Sequence, residues 1–249
     1  MNEGYILQVS QLNKAFWGVI AVFNVSFELK KGDFLGIIGP NGSGKSTLLN
    51  LITGFVRPDS GSILYCGREI SAKKPHSIAN LGIARTFQMA KAFYRMPAYK
   101  NIIIPLCSAR ARQFRGGVYG ERDDIAMDLL EEVGFDRSSG VPYKLTSSLP
   151  HGYLKRLELA RSLALRPDLV VLDELFSGMS MAEVAGTLPI LEKLKERGTT
   201  LLMVEHRLKE LFRVANRVIV LNYGRKVADG SPRDVMEVEA VKEAYLGSE

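Results

Sequence analysis

Short β-rich runs open the chain. YILQVS at 5–10, VIAVFNVSFEL at 19–29 and FLGII at 34–38, set apart by Gly and Lys, predict strands joined by tight turns. FLGII ends in a glycine-rich loop, and Lys45 to Ile52 then takes a helical pattern. Beyond the turn RPDSG come the short strand SILYC and the segment IARTF. From about Gln88 to Arg166 the strand signal fades, and DDIAMDLLEEVG and LKRLELARSLAL repeat apolar residues at helical spacing, which marks a helical insertion. LVVLDE is an apolar run ending in two acids, the pattern of a buried parallel strand that delivers its carboxylates to the carboxyl edge of a sheet. An amphipathic helix at about 182–196 follows, then TTLLMVEH, a helix at 207–215, and two strands in RVIVLNYGRKVADG. Strands alternating with helices predict an α/β fold with a mainly parallel sheet, without internal repeats or low-complexity linkers.

Composition narrows this little. The 249 residues suffice for one large domain or a core with an inserted subdomain, and 46% hydrophobic with 24% charged residues is ordinary for a globular protein. No run approaches the roughly 18 to 20 apolar residues that span a bilayer, and MNEGYILQVS lacks the layout of a signal peptide, so a cytosolic chain is expected. Cys66 and Cys107 lie far apart without metal-ligand spacing and are expected to be reduced, buried thiols. The net charge of +6 is spread along the chain with no basic-aromatic stripe, so a solvated cationic surface is expected and nucleic acid is not.

Candidate chemistry begins at Gly39-Pro40-Asn41-Gly42-Ser43-Gly44-Lys45-Ser46, which fits G-x-x-x-x-G-K-[ST] between a predicted strand and a predicted helix. The glycines let the backbone curl until successive N–H groups and the helix start face phosphates, with Lys45 reaching the β and γ positions and Ser46 placing its hydroxyl on Mg²⁺. A phosphate-loop NTPase also needs a carboxylate near the metal and a group that positions water. Asp173, holding Mg²⁺ through its water shell, and Glu174, orienting or deprotonating the attacking water, have that form.

The order of these motifs resembles the ABC transporter ATPase family across nearly the whole chain. GPNGSGKST, Gln88 in ARTFQ, the segment SLPHGYLKRLELARSLALRPDLVVLDE and His206 in LLMVEH follow the family's order of phosphate loop, Q-loop, signature, Walker B strand and switch histidine. The resemblance implies a single P-loop NTPase domain of the ABC type over 1–249: a nucleotide-binding core at 1–87 and 167–249, with an N-terminal antiparallel β subdomain, and a helical signature subdomain at 88–166. It implies ATP and Mg²⁺ as ligands, with the loop through Thr47 on the phosphates. Gln88 would touch the metal or water, His206 the γ-phosphate, and Gly152 the nucleotide of a partner subunit. Phe16 matches the aromatic that stacks on adenine, with Trp17 as a competing assignment and a core role as another. LVVLDELFSGM, VEHRLKELFRVANRVIVLNYGRKVADGSP and the end VKEAYLGSE resemble the branched-chain amino acid uptake group, whose wording urea importers share.

Several residues depart from the family pattern. Where the signature usually reads LSGGQ, this chain has Leu149, Pro150, His151, Gly152 and Tyr153, and Pro150 offers neither a hydroxyl nor a backbone N–H. Leu175 replaces the usual Pro after Glu174, and Ser180 stands at the D-loop position of Asp or Asn. The resemblance then implies a second ABC ATPase as partner: a homodimer would have two weakened sites, whereas in an unequal heterodimer whose partner retains a serine the better site uses this chain's own loop, Glu174 and His206, unless His151 or Tyr153 substitutes as donor. It implies membrane permease subunits docking at Met89 to Pro97, an extracytoplasmic substrate-binding protein as indirect partner, and a place on the inner face of the membrane. A soluble ABC-type ATPase acting on nucleic acid or the ribosome is the alternative, against which stands the lack of a second ATPase half or a coiled-coil insert.

Overall fold

The structure is a computed structural model that describes residues 4–89, 91–113 and 122–246. Within the expected helical segment, residues 90 and 114–121 lie outside the described residues, as does the GSE that ends the chain. The chain folds as two compact units, Met1–Ile78 with Gly198–Glu249, and Ala79–Arg197.

In the first unit β1 (Tyr5–Phe16) and β2 (Val19–Lys30) form a long antiparallel hairpin, with Leu7 opposite Leu29 and Val9 opposite Phe27. Trp17 and Gly18, at φ 47° and 86°, make its two-residue turn, the left-handed pair that suits the twist of a hairpin. β4 (Ser60–Tyr65) and β5 (Arg68–Glu69) extend this sheet in the order β2-β1-β4-β5. A second set of strands has β3 (Phe34–Ile38) between parallel neighbours β8 (Thr200–Val204) and β9 (Arg217–Asn222), with β10 (Arg225–Gly230) antiparallel to β9. Every residue of β3 and β8 is buried, which is why both read as unbroken apolar runs. Each large side chain buried there contributes about 1.5–3 kcal/mol. α1 (Lys45–Ile52) leaves β3 through the glycine loop, and α8 (Leu208–Val214) lays Leu211 so close to β3 that a Cβ on Gly36 would stand 2.9 Å from it. α9 (Pro232–Glu237), capped by Ser231, and α10 (Glu239–Leu246) close the chain.

α2 (Pro75–Leu81) precedes the second unit's strand pair, β6 (Ile83–Arg85) parallel to β7 (Leu169–Asp173). Among the described residues five α-helices accompany them: α3 (Ala98–Leu106), α4 (Ala109–Gln113), α5 (Arg122–Glu132), α6 (His151–Leu163) and α7 (Met181–Glu196). Buried Ile102, Leu106, Leu130, Phe135 and Leu157 form the helical core. Asn101 is wholly buried among them. Its amide accepts from the Phe93 N–H at 2.7 Å and donates to Thr146 Oγ1 at 3.0 Å, fixing the segment that leads into α3.

The strands and the phosphate-loop setting appear as the sequence predicts. The cysteines do not: Cys66 is exposed and Cys107 half-buried, and neither forms a disulfide. Cys66 sits at φ 48° in the Cys66-Gly67 turn after β4, so the apolar look of SILYC overstated its burial. Among the described residues no helix is long and apolar enough to cross a membrane.

Candidate functional site

Three backbone features shape the loop after β3. Gly39, Gly42 and Gly44 hold φ of 151°, 77° and 100°, conformations that L side chains rarely adopt. Space is also lacking: a Cβ on Gly39 would meet Leu221 O at 2.1 Å and one on Gly44 would meet Ala21 O at 2.3 Å. Ser43 O accepts from the Gly224 N–H at 3.0 Å, and Gly224 O accepts from the Phe23 N–H at 2.8 Å, so β2 and the β9–β10 turn support the loop from below.

The loop is built to receive an anion. Gly44 caps α1 with no side-chain hydrogen bond and no acid stands in the first turn, so N–H groups and the positive helix end are left for a ligand. Lys45, 5% exposed, donates through Nζ to Gly39 O at 2.7 Å and Pro40 O at 2.8 Å. Its charge thus rests on carbonyls of the loop it would serve. Ser43 Oγ is buried without a hydrogen-bond partner, an unsatisfied polar atom that a phosphate oxygen would match. Asn41, Gly42 and Ser46 are exposed, while Pro40, Gly44 and Thr47 are half-buried. Tyr245 of α10 lies in the VKEAYLGSE end that carries the family resemblance; burial pushes its pKa up to about 12 against the opposing pull of the Gly39 N–H.

Elsewhere in the first unit, Phe16 is half-buried at the end of β1 with Lys14 Nζ 5.3 Å above its ring, and Trp17 is wholly exposed at the hairpin tip. His206 follows β8 and is exposed, its N–H donating to the buried Glu205 carboxylate at 3.3 Å.

The second unit carries the two acids. Asp173 ends β7, 7% exposed, and its Oδ2 accepts from Arg85 Nη2 at 2.7 Å while its N–H donates to Thr86 Oγ1 at 3.3 Å. Glu174 is a non-glycine residue at φ 48°, a backbone cost concentrated at a chemically significant position. Gln88 Nε2 donates to Glu174 Oε2 at 2.7 Å, so two residues singled out from sequence meet. Lys155 of α6, 1% exposed, ties both backbones by donating to Gln88 O at 2.6 Å and Glu174 O at 3.3 Å. One helical turn on, Glu158 Oε1 accepts from the Phe87 N–H at 2.9 Å. Burial pushes the Glu158 pKa up to about 7, against the opposing pulls of that N–H, Lys155 and Arg161. Sequence reading missed Arg85, Lys155 and Glu158; their only signal is buried charge within otherwise apolar runs.

The described residues hold no cluster of three His, Cys, Asp or Glu able to bind a metal by themselves. Ser46 in the first unit carries a hydroxyl, and Gln88 and Asp173 in the second an amide and a carboxylate, each an oxygen donor of the kind that suits Mg²⁺.

At the signature segment, α6 begins at His151 with Pro150 as N-cap and no side-chain cap. The Gly152 N–H donates to Glu183 Oε1 at 2.9 Å, and His151 Nε2 lies 3.1 Å from Ser177 O. Met89, Phe93 and Tyr94 are exposed, whereas Met96 is half-buried, its carbonyl accepting from Thr146.

The family model described as ABC transporter matches residues 22–177. Over 97% of this chain and 98% of that protein, the sequence is 34% identical to the high-affinity branched-chain amino acid transport ATP-binding protein BraF of Pseudomonas aeruginosa. It is 32% identical, over 98% of each chain, to the lipopolysaccharide export system ATP-binding protein LptB of Escherichia coli. Among solved structures, the ADP conformation of MJ1267, an ATP-binding cassette of an ABC transporter, superposes with TM-score 0.85 at 30% identity, covering 98% of this chain and 99% of that one.

Proposed function

The chain belongs to the ABC transporter family as one of its ATP-hydrolysing subunits, and from that premise we propose that it powers import of branched-chain or other hydrophobic amino acids. The full-length similarity to BraF supports this cargo. The observation that carries hydrolysis at this chain's own acids is the Glu174 carboxylate held by Gln88 at the end of β7.

In this reading Phe16 or Trp17 stacks on adenine, and the N–H groups of Gly39 to Thr47 wrap the phosphates. Lys45 exchanges the carbonyls of Gly39 and Pro40 for β- and γ-phosphate oxygens. Ser46, Gln88 and Asp173 would hold Mg²⁺, which when bound would neutralise charge developing on the leaving group. Glu174 takes the proton of the attacking water, Gln88 keeps the carboxylate oriented, and His206 donates to the γ-phosphate.

Two subunits close around two nucleotides, each site completed by the other's signature. Because Pro150 offers no donor, the pair is an unequal heterodimer in which this chain's loop, Glu174 and His206 form the stronger site. Residues 1–87 and 167–249 act as the nucleotide core and 88–166 as the helical signature part. Membrane permease subunits dock at Met89 to Pro97, an extracytoplasmic binding protein delivers cargo, and the chain is peripheral on the cytoplasmic face. ATP drives the cycle because it favours the closed pair more than ADP does.

Similarity to LptB favours a second cargo class, a lipopolysaccharide-like amphiphile moved outward. The deciding experiment reconstitutes the chain with its permease in vesicles and follows ATP turnover and leucine uptake. Uptake driven by ATP is the expected result; lipid extraction without uptake would replace amino acids with the second cargo. Glu174→Gln is expected to lower turnover at least about 100-fold, the scale of a lost general base, and unchanged turnover would refute hydrolysis by this site.

A further inference from the structure

We propose that Glu183 occupies the phosphate-facing end of α6 and withholds this chain's signature segment from a partner's nucleotide, so that it decides which of the two composite sites can close. The inference rests on the reading that the subunit works as half of a nucleotide-sandwiching pair.

The first-turn N–H groups of a helix need acceptors, and a serine before the first turn would supply its own. Proline cannot. Pro150 gives α6 no side-chain cap, and the carboxylate of Glu183, from α7, takes that place: Oε1 accepts from the Gly152 N–H at 2.9 Å. The other oxygen, Oε2, accepts from both the N–H and the hydroxyl of Ser180 at 2.8 Å each. The approach is close enough that a Cβ on Gly152 would stand 2.3 Å from Oε1, so the glycine at 152 is needed by Glu183 itself.

His151 locks the same junction from its other side. Its ring nitrogen lies 3.1 Å from Ser177 O, and a Cβ on Gly178 would come within 2.8 Å of it. The N–H and hydroxyl of Ser180, then Gly152 and His151, hold the Glu183 carboxyl below its ordinary range against a smaller opposing effect of burial, so it is an anion at neutral pH.

A terminal phosphate is a second anion seeking the same positive helix end and the same N–H. The two cannot share it. A partner's nucleotide must displace a carboxylate tied by three hydrogen bonds before it meets this signature, whereas this chain's own phosphate loop faces no such competitor if the partner's signature is open.

The test uses the full chain carrying Glu174→Gln, which slows turnover. Mass by light scattering and bound nucleotide by equilibrium dialysis are read on the same MgATP-containing samples. The expected result is ATP bound to a monomer. Adding Glu183→Ala should then lower the protein concentration for half-dimerisation by about tenfold or more, the scale of one charge-assisted hydrogen bond. Pro150→Ser with Glu183 retained should give a smaller shift, because the new hydroxyl competes with a carboxylate still held by Ser180. Because Glu183→Ala also removes a cap of α7, Glu183→Gln is run beside it; it keeps length and an acceptor for Ser180, loses the charge, and should give a smaller gain. Thermal unfolding identifies the folded samples. Equal dimerisation with and without Glu183 overturns the inference, as does Pro150→Ser matching Glu183→Ala. Folded Glu183 variants that bind ATP and stay monomeric overturn it alone, whereas no ATP binding in any sample overturns the underlying reading with it.

Discussion

At the scale of single residues, the buried charges of α6 govern behaviour that its apolar face does not. Glu158 has a folded-state pKa near 7 against an ordinary 4.5, so the folded protein holds a proton that the unfolded chain has released. Stability from this group is therefore full below about pH 4.5 and lost as pH rises through 7, on the order of 3 kcal/mol. Glu158→Gln removes the titration while its amide oxygen still accepts from Phe87. Its melting temperature relative to the parent should rise between pH 5 and pH 8; parallel pH profiles would refute this. Lys155→Ala would take one donor from each of the Gln88 and Glu174 carbonyls at a part-buried junction, and would leave a void where its own stem is buried. It should cost about 2–4 kcal/mol in urea unfolding and lower kcat more than ATP affinity. The phosphate loop and the Asp173-Glu174 pair were legible in the sequence because their chemistry needs fixed residue types at fixed spacing. Lys155 and Glu158 were not: in LKRLELARSLAL they stand where a helical period expects a solvated face, and only the fold shows that face to be buried.

Elements obey their caps and their glycines. α7 begins with a reciprocal box in which Ser180 Oγ accepts from the Glu183 N–H and Glu183 Oε2 accepts from the Ser180 N–H. Ser180→Ala should cost about 1 kcal/mol in chemical denaturation, a loss that Ser180→Thr largely recovers. Gly39→Ala is expected to abolish ATP binding by equilibrium dialysis, because the added methyl would overlap Leu221 O and the loop could not keep its curl; retained affinity would show that the loop relaxes. Strand positions were readable from burial on both faces, as in β3 and β8. α7 was readable despite Pro189, since Leu188, Ile190 and Leu191 bury on both sides of it. α9, six residues long, is too short for a periodic signal to rise above the turns around it, whereas α10 is legible only through the resemblance of VKEAYLGSE to the amino acid uptake group.

For the whole molecule, alternation of strand and helix sufficed to give the α/β class, and motif order the family, but the surfaces needed coordinates. Phe93 and Tyr94, 43% and 45% exposed, stand on a segment held firm by Asn101 rather than in the core. Changing both to Ser should leave ATP binding by the purified chain intact and abolish its co-purification with the permease; unchanged co-purification would move the docking surface elsewhere. Where the Gly224 N–H meets Ser43 O, and Ala21 O closes on Gly44, the parts in contact are main chain. A junction made of carbonyls and N–H groups is insensitive to which side chains its neighbours carry. Ala21 can therefore drift in identity while the loop stays in place, but an inserted or deleted residue in β2 or in the β9–β10 turn would shift the carbonyls and N–H groups that hold it. The lineage's freedom to vary here lies in spelling and not in length.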